Sequence, residues 1–242
     1  MARPDVAGAL REAALAINAP HTLEDTLDAI VRTARQSLDG IDHVGISLAH
    51  SEGEIETKAA TSQLVWALDA LQYRVGEGPC VYAIEHEPVV LVQHARFEQR
   101  WPRFIPKAVQ LGLRSQLALQ LYSEERVLGG LNMYSTSSDT LQLSTIEMAT
   151  LFASHASLAV AQALHEDGLN TAFGSRRVIG QALGILMERY GIDEERAWAV
   201  LTRASSKSDM SLHDVATEVV ERDAEGSCEE GAGTRTVTGP ST

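Results

Sequence analysis

Cysteine is scarce in this chain of 242 residues: there are two, Cys80 and Cys228, far apart and the second in a polar segment. Such a pair excludes a disulfide framework and points to a reducing compartment, so a cytoplasmic protein is expected. Positive charge is scarce too, with 20 Lys and Arg against 33 Asp and Glu and a net charge of -13. That excludes a protein coating nucleic acid or anionic lipid through bulk charge, and leaves room only for a local basic patch. No run of membrane length is free of polar groups. The nearest candidate, 146–164, carries Glu147, Thr150, Ser154, His155, Ser157 and Gln162, the composition of a buried soluble helix, and no membrane partner is expected. Near the N-terminus Arg11 and Glu12 interrupt the one apolar run, which excludes a signal peptide. His43, His50, His86 and His94 lack metal-ligand spacing, so no metal is expected. Gly76-Glu77-Gly78-Pro79 lacks the Lys-Ser/Thr ending of a phosphate loop, and Pro79 removes an N–H donor, so no nucleotide cofactor is expected either.

What the chain does have is a long helical pattern from Ser144 to Tyr190, free of proline, with a break expected near Gly168 or Gly174. Ile146, Ala149, Ala153, Ala156, Val160 and Ala163 repeat at alternating steps of three and four, a heptad seam. Leu151, Phe152, Leu158 and Ala159 form a second apolar stripe. A helix apolar on two sides needs two covers. The seam is therefore assigned to a second copy of the chain, making a homodimer, and the other stripe to the helix's own domain.

The segments before this helix alternate in period. Residues 6–17 form a weakly amphipathic helix within an N-terminal segment 1–21. Thr22, with Asp25 three residues on, caps a second helix whose buried stripe runs from Leu23 to Leu38. Strands are predicted at Val44–Leu48, 54–60, 88–92, 115–122 and 126–134, with helical insertions at 63–72, 80–84 and 101–110. The order implies an α+β domain over 22–165: an antiparallel sheet of five or six strands flanked by helices, with pocket-forming loops on the face away from the packed helices. Cys80 and Trp101 are the candidate pocket residues. Cys80 follows Pro79 in the first turn of a helix, where the dipole favours thiolate, but a buried structural cysteine is the favoured reading.

A second domain is expected over 166–222, of which residues 172–222 are purely helical. Tyr190-Gly191 stops the first helix, Asp193 caps the second, and Ser211 with Asp214 caps the third. Residues 223–242 are Gly, Ser, Thr and Glu-rich and are expected to form a disordered tail. Arg177, Gln181 and Gly184 lie at i, i+4 and i+7, beside Arg176, and so share one helix face. Arg203 and Lys207 are also four apart, with Ser205 and Ser206 between them. Cations for phosphate, amides and hydroxyls for base edges, and small residues for close approach are what an RNA hairpin demands. Across 172–222 seven basic residues face eight acidic ones, so charge alone makes no strong case.

Two resemblances add to this. Gly76-Glu77-Gly78-Pro79-Cys80, Arg100-Trp101-Pro102-Arg103-Phe104, Leu111-Gly112-Leu113-Arg114-Ser115 and Leu128-Gly129-Gly130-Leu131-Asn132-Met133-Tyr134-Ser135 together resemble a GAF sensor domain of actinobacterial type. Ile179-Gly180-Gln181-Ala182-Leu183-Gly184-Ile185-Leu186-Met187 resembles the first helix of an ANTAR domain, and Ala197, the 201–205 run and Leu212-His213-Asp214-Val215-Ala216 agree with it. The resemblance implies a transcription antitermination regulator: a dimer gripping paired hairpins in nascent leader RNA, gated by a GAF domain with an unidentified small-molecule ligand. It implies no enzyme. Some GAF domains reduce free methionine sulfoxide with several cysteines, whereas this domain offers Cys80 alone. One departure stands out. ANTAR proteins usually carry Lys between the Ala and Gly of the first motif, and this chain has Leu183. The alternative is therefore a ligand-sensing or dimerisation module with weakened or lost RNA binding.

Overall fold

The computed structural model describes residues 15, 17, 22–50, 53–124, 126–208 and 210–230, with side chains left out at 170–173 and 224–230. The chain divides into two compact units, residues 1–167 and 168–242. Of the helix expected at 6–17, Leu15 and Ile17 are helical and the rest lies outside the described residues, as do Glu52 of the expected hairpin turn and the last twelve residues of the expected tail.

In the first unit, α1 (Leu23–Ser37) leads into β1 (His43–Ala49) and β2 (Ile55–Ala60). The Thr22 hydroxyl caps α1, accepting from the Asp25 N–H at 3.1 Å and donating to the Asp25 carboxylate at 2.7 Å. Helices α2 (Gln63–Val75) and α3 (Pro79–Glu85) follow, then β3 (Val89–Val92), α4 (Ile105–Gln110), β4 (Ser115–Tyr122) and β5 (Val127–Ser135). The five strands make one antiparallel sheet in the order β2-β1-β5-β4-β3.

Strand alternation sorts side chains onto two faces. Val44, Ile46 and Leu48, Leu117, Leu119 and Leu121, and Leu131 and Met133 face one core with Leu27, Ile30 and Val31 of α1. The opposite face carries Ala118 and Tyr134 and packs against Val65 and Leu68 of α2, Ala83 of α3 and Phe104, Ile105 and Ala108 in and beside α4. Helices therefore cover both faces. The expected loop-lined pocket face is a second core, because the 63–75 segment packs its apolar stripe onto the sheet.

One helix, α5 (Leu143–Tyr190), continues without a break past Gly168 and Gly174. A lone glycine costs a helix only ~1 kcal/mol relative to alanine, and no proline interrupts the ladder. Its first part corrects the assignment of the seam. Ala149, Ala153, Ala156 and Val160 are buried in the first unit's own core, and Ile146 packs against that core. Ala163 is half-buried. Phe152 and Ala159 of the other stripe join the same core, while Leu151 and Leu158 stay 49% and 70% exposed. The seam is thus already covered within one chain and is not free for a second copy.

In the second unit the end of α5 is followed by α6 (Glu194–Ser208) and α7 (Leu212–Glu230). Gly191, at φ +61°, closes α5, and the Asp193 carboxylate accepts from the Arg196 N–H at 2.9 Å to open α6. Ser211 and Asp214 form the box at the start of α7, with contacts of 2.7 and 3.1 Å. Ala182, Leu183, Leu186, Ala197, Leu201, Val215 and Ala216 make the core of this unit. The helix α7 runs on to Glu230, so the first part of the expected tail is helical; Asp223, Ala224 and Glu225 extend a turn that is already formed.

Candidate nucleic-acid interface and buried polar network

The exposed faces of the second unit follow directly from its core. With Ala182, Leu183 and Leu186 turned inward, Arg176, Arg177, Gln181 and Gly184 are left on the outside of α5. A Cβ at Gly180 or Gly184 would meet nothing within 4 Å, so these glycines do not serve close packing against the described residues. They leave the helix backbone open to approach from outside.

On α6, burial of Ala197 and Leu201 turns Arg196, Val200, Arg203 and Lys207 outward at steps of four, three and four. Together with Ile192 and Ala204 they line a groove of about 550 Å³. Its floor is apolar and its charged lining, among the described residues, is cationic throughout. Arg196 has a loose, exposed contact with Asp193 at 3.8 Å, whereas Arg203 and Lys207 make no ion pair among the described residues. The structure therefore joins Arg203 and Lys207 as expected and adds Arg196, which sequence spacing did not single out. Arg176, Arg177, Gln181 and Gly184 do not line this groove. Ser205 and Ser206 are engaged within the chain, donating to the carbonyls of Met210 at 2.8 Å and Thr202 at 2.9 Å. Their oxygens retain acceptor capacity only.

Leu183 is 9% exposed and belongs to the apolar core. Its side chain is at home where it is. The cation that ANTAR proteins usually carry there would begin from a core position.

The first unit holds a polar network on the second face of the sheet. Asp69 of α2 is fully buried. Its carboxylate accepts from the hydroxyl of Tyr134, from the hydroxyl of Thr57 at 2.8 Å, and from the amide of Asn132 at 3.4 Å. Tyr73 shares hydroxyl contacts with Ser47 at 2.5 Å and Thr57 at 2.8 Å. The Asn132 amide also donates to Cys80 Sγ at 3.0 Å and to Ser47 Oγ at 3.1 Å. Burial pushes the Asp69 carboxyl up from 3.8 to about 6, against the lowering effect of the Tyr134 and Thr57 hydroxyls. Burial, and then the nearby Asp69 charge, push the Cys80 thiol up to about 12. Cys80 does sit in the first turn of α3, but desolvation outweighs the helix dipole and the sulfur remains a thiol at neutral pH. Trp101 is 5% exposed and lies in the apolar part of the same core, under the guanidinium of Arg100 at 4.4 Å.

Three side-chain atoms on this face, Asn132 Oδ1 and the amide N and O of Gln116, are buried without a hydrogen-bond partner among the described residues. None of Asp69, Tyr73, Asn132, Tyr134 or Gln116 was evident as a site residue from spacing. A signal existed for Asp69 and Gln72. They stand four and seven residues after Val65, on the buried face of α2, where polar residues need partners. Among the described residues no three His, Cys, Asp or Glu side chains converge as metal ligands, and no helix is long and apolar enough to cross a membrane.

Comparison with known proteins gives two family matches. The GAF domain model matches residues 20–161, more than half of the chain, and the ANTAR domain model matches residues 167–220. Among solved structures, the chain is similar to the GAF domain of a phosphoenolpyruvate-protein phosphotransferase from Acinetobacter, at 17% identity and a TM-score of 0.54, over 68% of this chain and 97% of that one. It is similar to the reduced form of fRMsr from Staphylococcus aureus at 14% identity and a TM-score of 0.51, over 64% and 95% of the two chains. It is also similar to the phytochrome photosensory core module of Stigmatella aurantiaca at 10% identity and a TM-score of 0.55, over 83% and 45%. These likenesses show the fold. No curated protein matches the chain.

Proposed function

The chain belongs to the GAF domain family and carries an ANTAR domain behind it, and on that premise we propose that it is a cytoplasmic transcription antitermination regulator that binds hairpins in leader RNA. The two domains supply the coarse architecture of a sensor joined to an RNA-binding module. The observation that carries the finer reading is the cationic face of α6. Arg196, Arg203 and Lys207 line one groove, where the one carboxylate paired with them among the described residues is Asp193, 3.8 Å from Arg196, on a chain whose net charge is -13. Such local concentration against the overall charge suits phosphate contact.

The active form in this reading is a homodimer, because two weak hairpin sites on one scaffold gain affinity through effective concentration. With the 146–163 seam buried, the dimer face is the outer side of α5, where Leu143, Leu151 and Leu158 are 69%, 49% and 70% exposed. Leu151 and Leu158 are seven apart, one heptad, and thus on one face.

The sensor site in this reading is the second face of the sheet. Gln116 and Asn132 carry the polar atoms there that a small molecule with donors and acceptors would satisfy once the helices covering that face part. The protein acts without catalysis. Cys80, held as a thiol, supports a structural role rather than a redox one.

The test is a titration of the purified full chain with a two-hairpin RNA and a one-hairpin control at several salt concentrations. Tighter binding of the paired hairpins, with a salt slope of a few phosphate contacts, is expected. Absence of binding in both would overturn the RNA reading and leave a sensing or dimerisation module.

A further inference from the structure

Resting on the RNA reading above, we infer that the α6 groove is the seat of one unstacked loop nucleotide, its base on the apolar floor and its flanking phosphates on the cations at either end. The lining is ordered along the helix. Arg196 stands at one end, Val200 and Ala204 in the middle, and Arg203 and Lys207 towards the other end. Val200 is 48% exposed, so apolar surface lies open between three cations. Water-facing arginines and lysines need no such floor, and a phosphate track alone makes no use of one. A base pulled out of its stack needs both, an apolar surface for its ring and cations for the phosphates beside it.

Size and charge select this occupant. The groove, at about 550 Å³, matches one nucleotide, near the small end of ligand pockets. A helix of a second copy is ~10 Å across and would need a longer apolar strip. The floor here is closed at both ends by cations, which leaves an apolar strip too short for such a helix. An RNA stem is excluded by the same floor, since its bases are stacked and paired and present no free ring. The groove thus reads the hairpin loop, while the open backbone at Gly180 and Gly184 lies on another helix.

The full chain is titrated with the two-hairpin RNA and with versions carrying an abasic nucleotide at each loop position in turn. Wild type is compared with Val200→Asp and Arg203→Ala, with circular dichroism and sedimentation for each. One abasic position should weaken wild-type binding about tenfold, and Val200→Asp should weaken binding to intact RNA by a similar factor. That abasic position should cost Val200→Asp no more than about twofold further, because both changes remove one contact. A flat abasic scan with unaltered Val200→Asp affinity, while wild type still binds hairpins, overturns the groove and leaves the RNA reading standing. A Val200→Asp protein that changes its sedimentation but keeps its RNA affinity also overturns it, and hands the groove to a second copy. No wild-type binding to any hairpin overturns the RNA reading and the groove with it.

Discussion

Tyr134 of β5 donates its hydroxyl to the carboxylate of Asp69 on α2, and both residues are fully buried. The pair ties the middle of the sheet to the helix that covers its second face. Asp69 is raised to about 6, chiefly by burial. A carboxylate raised above its unfolded value of 3.8 stabilises the fold in full below about pH 4, and that contribution is lost as pH rises through about 6. The loss amounts to on the order of 3 kcal/mol. Asp69→Asn cannot titrate. Denaturant unfolding between pH 4 and 6.5 should therefore show wild type losing stability relative to Asp69→Asn as pH rises. A constant difference between the two would refute this account of the network.

Asp42 predicts the opposite sign. Burial raises its carboxyl, but hydrogen bonds outweigh that and lower it from 3.8 to about 2. Its Oδ2 accepts from the N–H groups of Thr136 at 2.7 Å and Ser137 at 2.9 Å, and from the hydroxyls of Ser137 at 2.8 Å and Ser135 at 3.0 Å. This contribution is present above pH 3.8 and is lost as pH falls through about 2. Asp42→Ala leaves the donors at the end of β5 without an acceptor and should cost ~1–3 kcal/mol at neutral pH. Thermal unfolding at pH 7 and pH 2 checks this, with the gap between variant and wild type expected to narrow at the lower value.

Two substitutions on α5 separate the buried seam from the proposed dimer face. Ala156 is fully buried in the first unit's core, so Ala156→Glu should destabilise that unit by more than ~3 kcal/mol, not simply dissociate a dimer. Leu158→Glu, at a position 70% exposed, should leave unfolding nearly unchanged and give monomers in sedimentation. It should also remove the preference for two hairpins over one. Retention of the dimer by Leu158→Glu would place the interface elsewhere.

The contrast shows which features can be read from local spacing. The three-four repeat from Ile146 to Ala163 says that a face is buried, and it is silent on what buries it. The partners proved to be side chains of α1, β1, β4 and β5, which only the fold brings to this helix. Local devices were legible because they close over three or four residues: the Thr22–Asp25 and Ser211–Asp214 boxes, and the stop at Gly191. So were the strands, whose alternation is set by the pleat. Asp69, Asn132 and Tyr134 were not, since their meeting depends on the order β2-β1-β5 and on α2 folding over it. Arg196 escaped notice for a smaller reason. It stands seven residues before Arg203, two turns away, and only the groove shows that they share a wall.

Gly129 gives a backbone test. It lies at φ +157° on β5, and a Cβ there would stand 1.9 Å from the Ser47 carbonyl oxygen. That oxygen belongs to β1, the hydrogen-bonded neighbour of β5. Neither backbone can retreat without opening the central pairing of the sheet. Gly129→Ala should therefore cost several kcal/mol, of order ~3–5, or prevent folding of the first unit. Gly53→Ala is the comparison, at φ +83° in a turn with nothing within 4 Å of its Cβ, and should cost ~1 kcal/mol. Equal effects in denaturant unfolding would show that the close approach to Ser47 is not what fixes glycine at position 129.

Leu183→Lys tests whether the usual ANTAR cation is missing in any functional sense. Position 183 opens onto the core formed by Ala182, Leu186, Ala197 and Leu201, with only 9% of the leucine exposed. A lysine there must run its methylenes along that core and carry its ammonium to the edge. The substitution should lower the stability of the second unit by ~1–2 kcal/mol, through lost packing and side-chain ordering. The groove cations and the open α5 face stay where they are, so RNA affinity should change by less than about threefold. A gain of about tenfold or more, with a steeper salt dependence, would mean that the new ammonium reaches a phosphate. Leu183 would then be a true loss of contact, and the α6 groove would be the weaker half of a site that this chain has partly given up.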